Sequence, residues 1–260
     1  MATNPPAPAP DPGDPIDPII AELSSIIVRA EAEASRSGYF AALYRRVTVA
    51  VREQIDSFED PARLARLDVI FARRYLDALA AWRLGQPCSS CWKVAFDTTR
   101  LDKPIILQHL LLGINAHINL DLGIACARTS PGDALPSLHA DFLKINALLA
   151  GLVNAVTAEL AQVSPLLGLV EKVVGRHADD EIANFGLGAA RDFAWHVAES
   201  LAPLPLTLQA PKIAVLDRIV AAFARHLAQP DELLAAAYRI IRSAETASVP
   251  EVIAVLAAPA

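Results

Sequence analysis

Residues 106–126 read ILQHLLLGINAHINLDLGIAC, and this stretch decides the fold. No formally charged residue occurs from Pro104 to Leu120, yet His109, Asn115, His117 and Asn119 interrupt the apolar run and Asp121 closes it. His109, Gly113, His117 and Asp121 are spaced four apart. Each step of four overruns a helical turn by about 40°, so they form one slowly drifting stripe. Asn115 and Asn119 make a second pair, rotated about 200° from His117. A surface helix would carry one face of Lys, Glu and Arg. This one has polar groups on two sides, and leucines and isoleucines elsewhere. The pattern predicts a helix over about 103–126 that is buried all round. A buried polar group without a partner costs about 1–3 kcal/mol. Five of them on one helix imply an internal hydrogen-bond network or a site.

The rest of the chain agrees with a helical core. Hydrophobic residues make up 53%, much of it Ala and Leu, and there are only 11 glycines among 260 residues. Ala and Leu lose little freedom in a helix, and alternating β-branched runs are missing. Helix punctuation recurs. Asp60-Pro61 caps a helix that runs toward Trp82 and stops at Gly85. Asp102-Lys103-Pro104 opens the central helix, which ends near Arg128. Ser137 caps a helix toward Ala161, and Ser164-Pro165 starts another ending by Gly175. A further helix runs from about His177 to Leu201, and Ser248 with Glu251 forms a capping box. The expectation is an all-α domain over residues 19–260, a single compact bundle of nine or ten helices. Residues 1–18 are Pro-rich and read as a disordered or polyproline-like tail.

Charge and hydropathy remove several classes. The net charge is −6 and arginines are interspersed with acids, so no basic stripe is available for nucleic acid. Mean hydropathy is +0.34, which raises the question of a membrane span. A span needs about 20 mainly apolar residues with few polar interruptions, and the two His and two Asn of the central run argue for a core helix. The N-terminus lacks a basic region leading into an apolar run, as a secretory signal would have. Cytoplasmic residence is the expectation.

His117 and Asp121, at i and i+4, can aim an imidazole and a carboxylate at one point, the spacing by which a helix gives two ligands to one metal. Gly113 leaves room on the same stripe for a ligand or another backbone. His109, on that stripe, and Asp141, followed by apolar sequence, are the further candidate metal ligands. Arg73 and Arg74 are candidates to pair with Asp121 or Asp141, because a guanidinium suits a buried carboxylate. Arg191 and Trp195, four apart, could line the same cavity, and His196 with Glu199 is a second candidate ligand pair. Cys88-Ser89-Ser90-Cys91 is a CxxC with no second copy and no βαβ context, so reduced thiols are expected. His177 with Asp179, Asp180 and Glu181 reads as an acidic first turn. No nucleophile elbow, P-loop or GxGxxG occurs.

FARRYLDALAAW (71–82), CWKVAFD (91–97), HLLLGINAHINLDLGIA (109–125) and HADFLKIN (139–146), in that order, resemble the largely bacterial family called domain of unknown function 5995. The resemblance covers roughly residues 20–245 and is most specific at Asn115–Asp121. It implies a helical domain with a focal motif and no particular reaction. The spacing Gly113, His117, Asp121 is also similar to one helix motif of zinc phospholipase C and S1/P1-type nucleases, whose additional His-rich segments have no counterpart here.

Together these features predict an enzyme acting on a small, mainly apolar molecule. His117 would be general base or metal ligand, and Asp121 would orient it or share a divalent metal. Asn115, Asn119, Arg73, Arg74, Arg191 and Trp195 would contact substrate. With a metal, hydrolysis by an activated water is the simplest chemistry. The alternative is a non-catalytic helical module that binds a ligand or a protein, its polar residues locking helix packing.

Overall fold

A computed structural model describes residues 14–169 and 186–258, and all statements below concern these residues. They form eleven α-helices and no strand. The central helix is continuous from Ile106 to Thr129 but changes its winding twice. An α-helical part, α5 (Ile106–Ile114), passes into a π-helix (Asn115–Leu122) and back into α6 (Gly123–Thr129). The motif read from the sequence is therefore the π segment itself. A π-helix bonds i to i+5, and such stretches are rare and frequent at functional sites.

Around this axis lie α1 (Asp17–Ala32), α2 (Ser37–Glu53), α3 (Pro61–Arg83), α4 (Ser90–Thr98), α7 (His139–Val163), α8 (Leu187–Leu201) and α9 (Leu206–Ala228), followed by α10 (Glu232–Ala244) and α11 (Val249–Ala257). Helices α2, α3, α4, α8 and α9 touch the central helix directly. Its residues Leu112, Ala116, Leu120, Ile124 and Ala125 are fully buried. By length and composition Ile106–Thr129 could cross a membrane, and 83% of its most apolar window is buried inside the protein.

Two glycines set the closest approaches to this helix. A Cβ on Gly123 would stand 2.6 Å from the Ala194 carbonyl oxygen, so α8 lies against bare backbone there. A Cβ on Gly113 would stand 2.3 Å from the Phe40 ring. The space expected at Gly113 for a ligand is filled by Phe40.

Several caps follow the sequence. Asp60 Oδ1 accepts the Arg63 N–H at 2.9 Å, and Pro61 follows it. Ser248 and Glu251 form the capping box. Gly85 adopts φ 68° just past α3.

Other boundaries differ. The central helix starts at Ile106 rather than at Asp102-Lys103-Pro104. Its buried first N–H groups need partners: the Glu245 carboxylate accepts the Ile106 N–H, and Gln108 Oε1 accepts that of Ile105. Asp102, exposed, takes Arg36 instead. Ser137 does not cap α7, because its hydroxyl donates to the Ala134 carbonyl within a 3₁₀ turn, Gly132–Leu138, that precedes the helix. The fold also begins before residue 19, since Ile16 is completely buried and Asp17 pairs with Arg52. The helix end expected by Gly175 and the acidic turn expected at His177–Glu181 fall within 170–185, outside the described residues. The late helix is described from Leu187.

Candidate functional site

The site starts from the winding. When a turn takes more than four residues, a step of four falls short of a full turn instead of overrunning it. The drift of the His117–Asp121 stripe is thereby reversed, and the two side chains take different surroundings.

Asp121 has no exposed surface. Arg74 Nε, from α3, donates to its Oδ1 at 2.6 Å, and Trp92 Nε1, from α4, donates to Oδ2 at 2.7 Å. The carboxylate thus has its counter-ion and ties three helices together. His117 Nδ1 lies 3.5 Å from Oδ2, too far for a normal hydrogen bond.

The His117 ring packs among aromatics. Phe71 stacks on it at 3.5 Å between centroids and 7° between planes, and Tyr44 meets it edge-on at 4.4 Å. Neither ring nitrogen has a hydrogen-bond partner. Burial lowers its pKa, and the Asp121 carboxylate only partly offsets this. The imidazole is neutral at pH 7, with one nitrogen free to donate and the other to accept.

His117 lines a partly open cavity of about 260 Å³ between α2, α3, the central helix and α7, with Arg191 of α8 also on its wall. Aliphatic and aromatic side chains make up nearly all of the wall. Among the described side chains the polar exceptions are His117, Asp68, Tyr44 and Arg191. Asp68 Oδ2 is buried without a partner, and burial, with Asp14 second, raises its pKa to about 7. The Tyr44 hydroxyl is likewise unpartnered; Thr48 lies nearby but donates to the Tyr44 carbonyl. Burial pushes the Tyr44 phenol up. Arg191 donates to the Phe142 carbonyl at 2.7 Å and stands 4.3 Å over the Phe142 ring. Burial lowers its pKa to about 10, which leaves it cationic at pH 7.

The structure brings together His117, Asp121 and Arg74, and puts Arg191 on the wall of the same cavity. The other expected residues lie elsewhere. Asn119 Nδ2 donates to Asn115 Oδ1, and Asn115 Nδ2 to the Val220 carbonyl, so the Asn pair locks α9 and does not line the cavity. Arg73 pairs with Glu22. Trp195 donates to Glu199 and packs on His139 and Phe142. Nδ1 of the exposed His196 lies 2.7 Å from the Asp192 carbonyl. Asp141 is buried, but it accepts the Glu59 and Asp60 N–H groups and Arg63, which commits it to that turn. His109 packs edge-on to Tyr39 at 5.7 Å, and burial lowers its pKa to about 3.

Among the described residues no three His, Cys, Asp or Glu side chains converge as a metal would need. In the CxxC, Asp217 accepts the Ser90 and Cys91 N–H groups, and burial raises the Cys91 pKa.

Asp68 and Tyr44 escaped the sequence analysis. Their signal is a polar atom on an apolar stripe: Leu64, Asp68 and Phe71 on α3, and Phe40, Tyr44 and Val47 on α2.

Fold and site define an all-α domain in which a clamped carboxylate adjoins an apolar cavity bearing a neutral histidine. The chain belongs to the family described as "Family of unknown function (DUF5995)", whose model matches residues 16–230, from α1 through α9. No curated protein and no solved structure matches it.

Proposed function

We propose that this domain binds a small, mainly apolar molecule in the α2–α3–α7 cavity, with His117 making the directional hydrogen bond to an oxygen of that molecule. One observation carries the reading: a fully buried imidazole with both nitrogens unpartnered stands on the wall of an apolar cavity of about 260 Å³. An apolar occupant would cover this apolar wall, and its oxygen would satisfy the histidine.

A second reading, catalysis, is favoured by the approach of the Asp121 carboxylate to His117 Nδ1 at 3.5 Å. A closure of a few tenths of an ångström would let the carboxylate accept from Nδ1 and orient the imidazole, so that Nε2 could take a proton from a water attacking a bound ester carbonyl. A divalent metal would have to displace Arg74 from Asp121, and neither His109 nor Asp141 lines the cavity.

The test is calorimetric titration with 1-naphthol, a compact apolar molecule with one hydroxyl, of the parent and of His117→Leu. The variant should bind about tenfold more weakly, the loss of one hydrogen bond to a buried group. Equal affinity in the two proteins, or no binding to either, would overturn His117 as anchor. Hydrolysis of 1-naphthyl acetate that disappears in His117→Leu would favour the catalytic reading.

A further inference from the structure

Four carboxylates are buried among the described residues, and three of them have their donors. Asp121 accepts from Arg74 and Trp92. Asp141 accepts from Arg63 and from the Glu59 and Asp60 N–H groups. Glu245 accepts from the Ser164 hydroxyl and the Ile106 N–H. Asp68 is the exception: it is 8% exposed, and its Oδ2 is buried with no donor. It is also the one of the four on the cavity wall. A carboxylate taken out of water needs a counter-ion or several hydrogen bonds, or else it keeps its proton.

The described groups around Asp68 do not supply that counter-ion. The charge that bears on it is another carboxylate, Asp14. Arg52, 3.8 Å from Asp14, is paired with Asp17. From α2, Tyr44 offers a phenol whose hydroxyl is itself unpartnered and whose pKa the Asp68 carboxylate helps to raise. From the central helix comes His117, kept neutral by burial and stacked on Phe71, three residues after Asp68 on α3. Arg191, elsewhere on the wall, donates to the Phe142 carbonyl, and the charges that act on it are Cys126 and Asp192.

The result is a recess of negative sign with aromatic walls. Asp68 and Asp14 set the sign. Phe40, Tyr44 and Phe71 contribute rings to the same wall, and the π-face of a ring attracts a cation.

We infer, resting on the cavity reading above, that the occupant is an amine with an apolar body, its ammonium bound to Asp68 and its oxygen at His117. An ammonium donating to a carboxylate makes a charge-assisted hydrogen bond, roughly twice as strong as a neutral one. A hydroxyl in its place would gain neither the charge nor the ring faces. Burial holds the Asp68 proton to about pH 7. An arriving ammonium takes the place of that proton, which leaves to solvent.

The experiment is calorimetric titration of the full chain with 1-naphthylmethylamine and with 1-naphthylmethanol, its uncharged counterpart of nearly the same shape. An alkylammonium stays protonated through pH 8, so the charge on Asp68 is what changes between pH 6 and 8. At pH 8 the amine should bind at least tenfold more tightly than the alcohol. Its affinity should rise about tenfold from pH 6 to pH 8 as Asp68 ionises, while that of the alcohol stays within about threefold. Asp68→Asn should weaken the amine by about tenfold to a hundredfold, remove its pH dependence and leave the alcohol within about threefold. The comparison of probes and the pH series use the parent protein and test the inference even if Asp68→Asn fails to fold.

Three results overturn the inference. Equal affinity for amine and alcohol at pH 8 would remove the ammonium. An amine affinity unchanged from pH 6 to pH 8, or an equal loss of both probes in Asp68→Asn, would remove Asp68 as its partner. Binding of 1-naphthol that depends on His117, with no preference for the amine, would refute the amine and leave the cavity reading standing. Absence of binding by all three probes would refute the two together.

Discussion

Replacing Asp121 by Asn and His117 by Leu should separate two residues that look like one pair in the sequence. Asp121 accepts from Arg74 and Trp92, one donor per oxygen, and lies wholly out of solvent. An Asn there offers one acceptor oxygen and presents an NH₂ group to the other donor, so Arg74 or Trp92 loses its partner. Removing one member of a buried ion pair costs about 3–5 kcal/mol. Arg74 is about one-fifth exposed and recovers some hydration, which places the charge contribution at the low end. An unsatisfied Trp92 N–H, completely enclosed, would add about 1–3 kcal/mol if that is the partner lost. Asp121→Asn should therefore lose about 3–5 kcal/mol. That corresponds to a drop in Tm of roughly 6–20 °C for a chain this long, at about 2–4 °C per kcal/mol. His117 makes no hydrogen bond. His117→Leu removes a ring stacked on Phe71, worth about 0.5–1.5 kcal/mol, and relieves two unsatisfied nitrogens. Its net change should stay within about 1 kcal/mol, in either direction. Urea unfolding of both variants, with circular dichroism as the probe, provides the comparison. A loss of several kcal/mol in His117→Leu, or none in Asp121→Asn, would refute the division of the motif into a structural carboxylate and a ligand-facing histidine.

Two further outcomes follow from buried groups. Asp68 holds its proton to about pH 7 in the fold but loses it near 3.8 unfolded, so the native state binds more protons between those values and stability falls as pH rises. The full effect is roughly 4 kcal/mol, and Asp68→Asn should remove this slope and raise Tm at pH 8, as read from unfolding curves between pH 4 and 8. Gly123→Ala drives a Cβ to 2.6 Å from the Ala194 carbonyl, which must shift as backbone, and should cost about 1–3 kcal/mol by the same denaturation assay.

The buried helix was legible because its polar groups occupy two sides while Lys, Glu and Arg are missing. The Arg74–Asp121 pair was legible because a buried carboxylate needs a counter-ion. The π winding was not, since an i-to-i+4 spacing looks the same in sequence whatever the turn holds. Its consequence is the split between Asp121, clamped by two donors, and His117, left among aromatics. Asp141, a candidate metal ligand in the sequence, is buried, but its partners are the backbone of residues 59 and 60, fixed by tertiary packing that no local pattern announces. Glu245 as the cap of Ile106 is hidden for the same reason, the two lying 139 residues apart. Asp68 was overlooked because a single carboxylate amid arginines reads as surface until its apolar neighbours are placed.

The π segment also makes the number of residues between Ile114 and Gly123 a structural quantity in its own right. Deleting one residue there would let the segment rewind as α-helix; the tighter α winding makes up most of the rotation lost with the residue, so α6 keeps roughly its bearing on α5 while side chains inside the segment change face. Asp121 and His117 would take new bearings within that segment, and Arg74 and Trp92 would face a different position. The extra residue that the π winding accommodates is therefore what sets Asp121 against its two donors: a conservative exchange alters one contact, whereas a one-residue change in length re-aims the clamp and the histidine together.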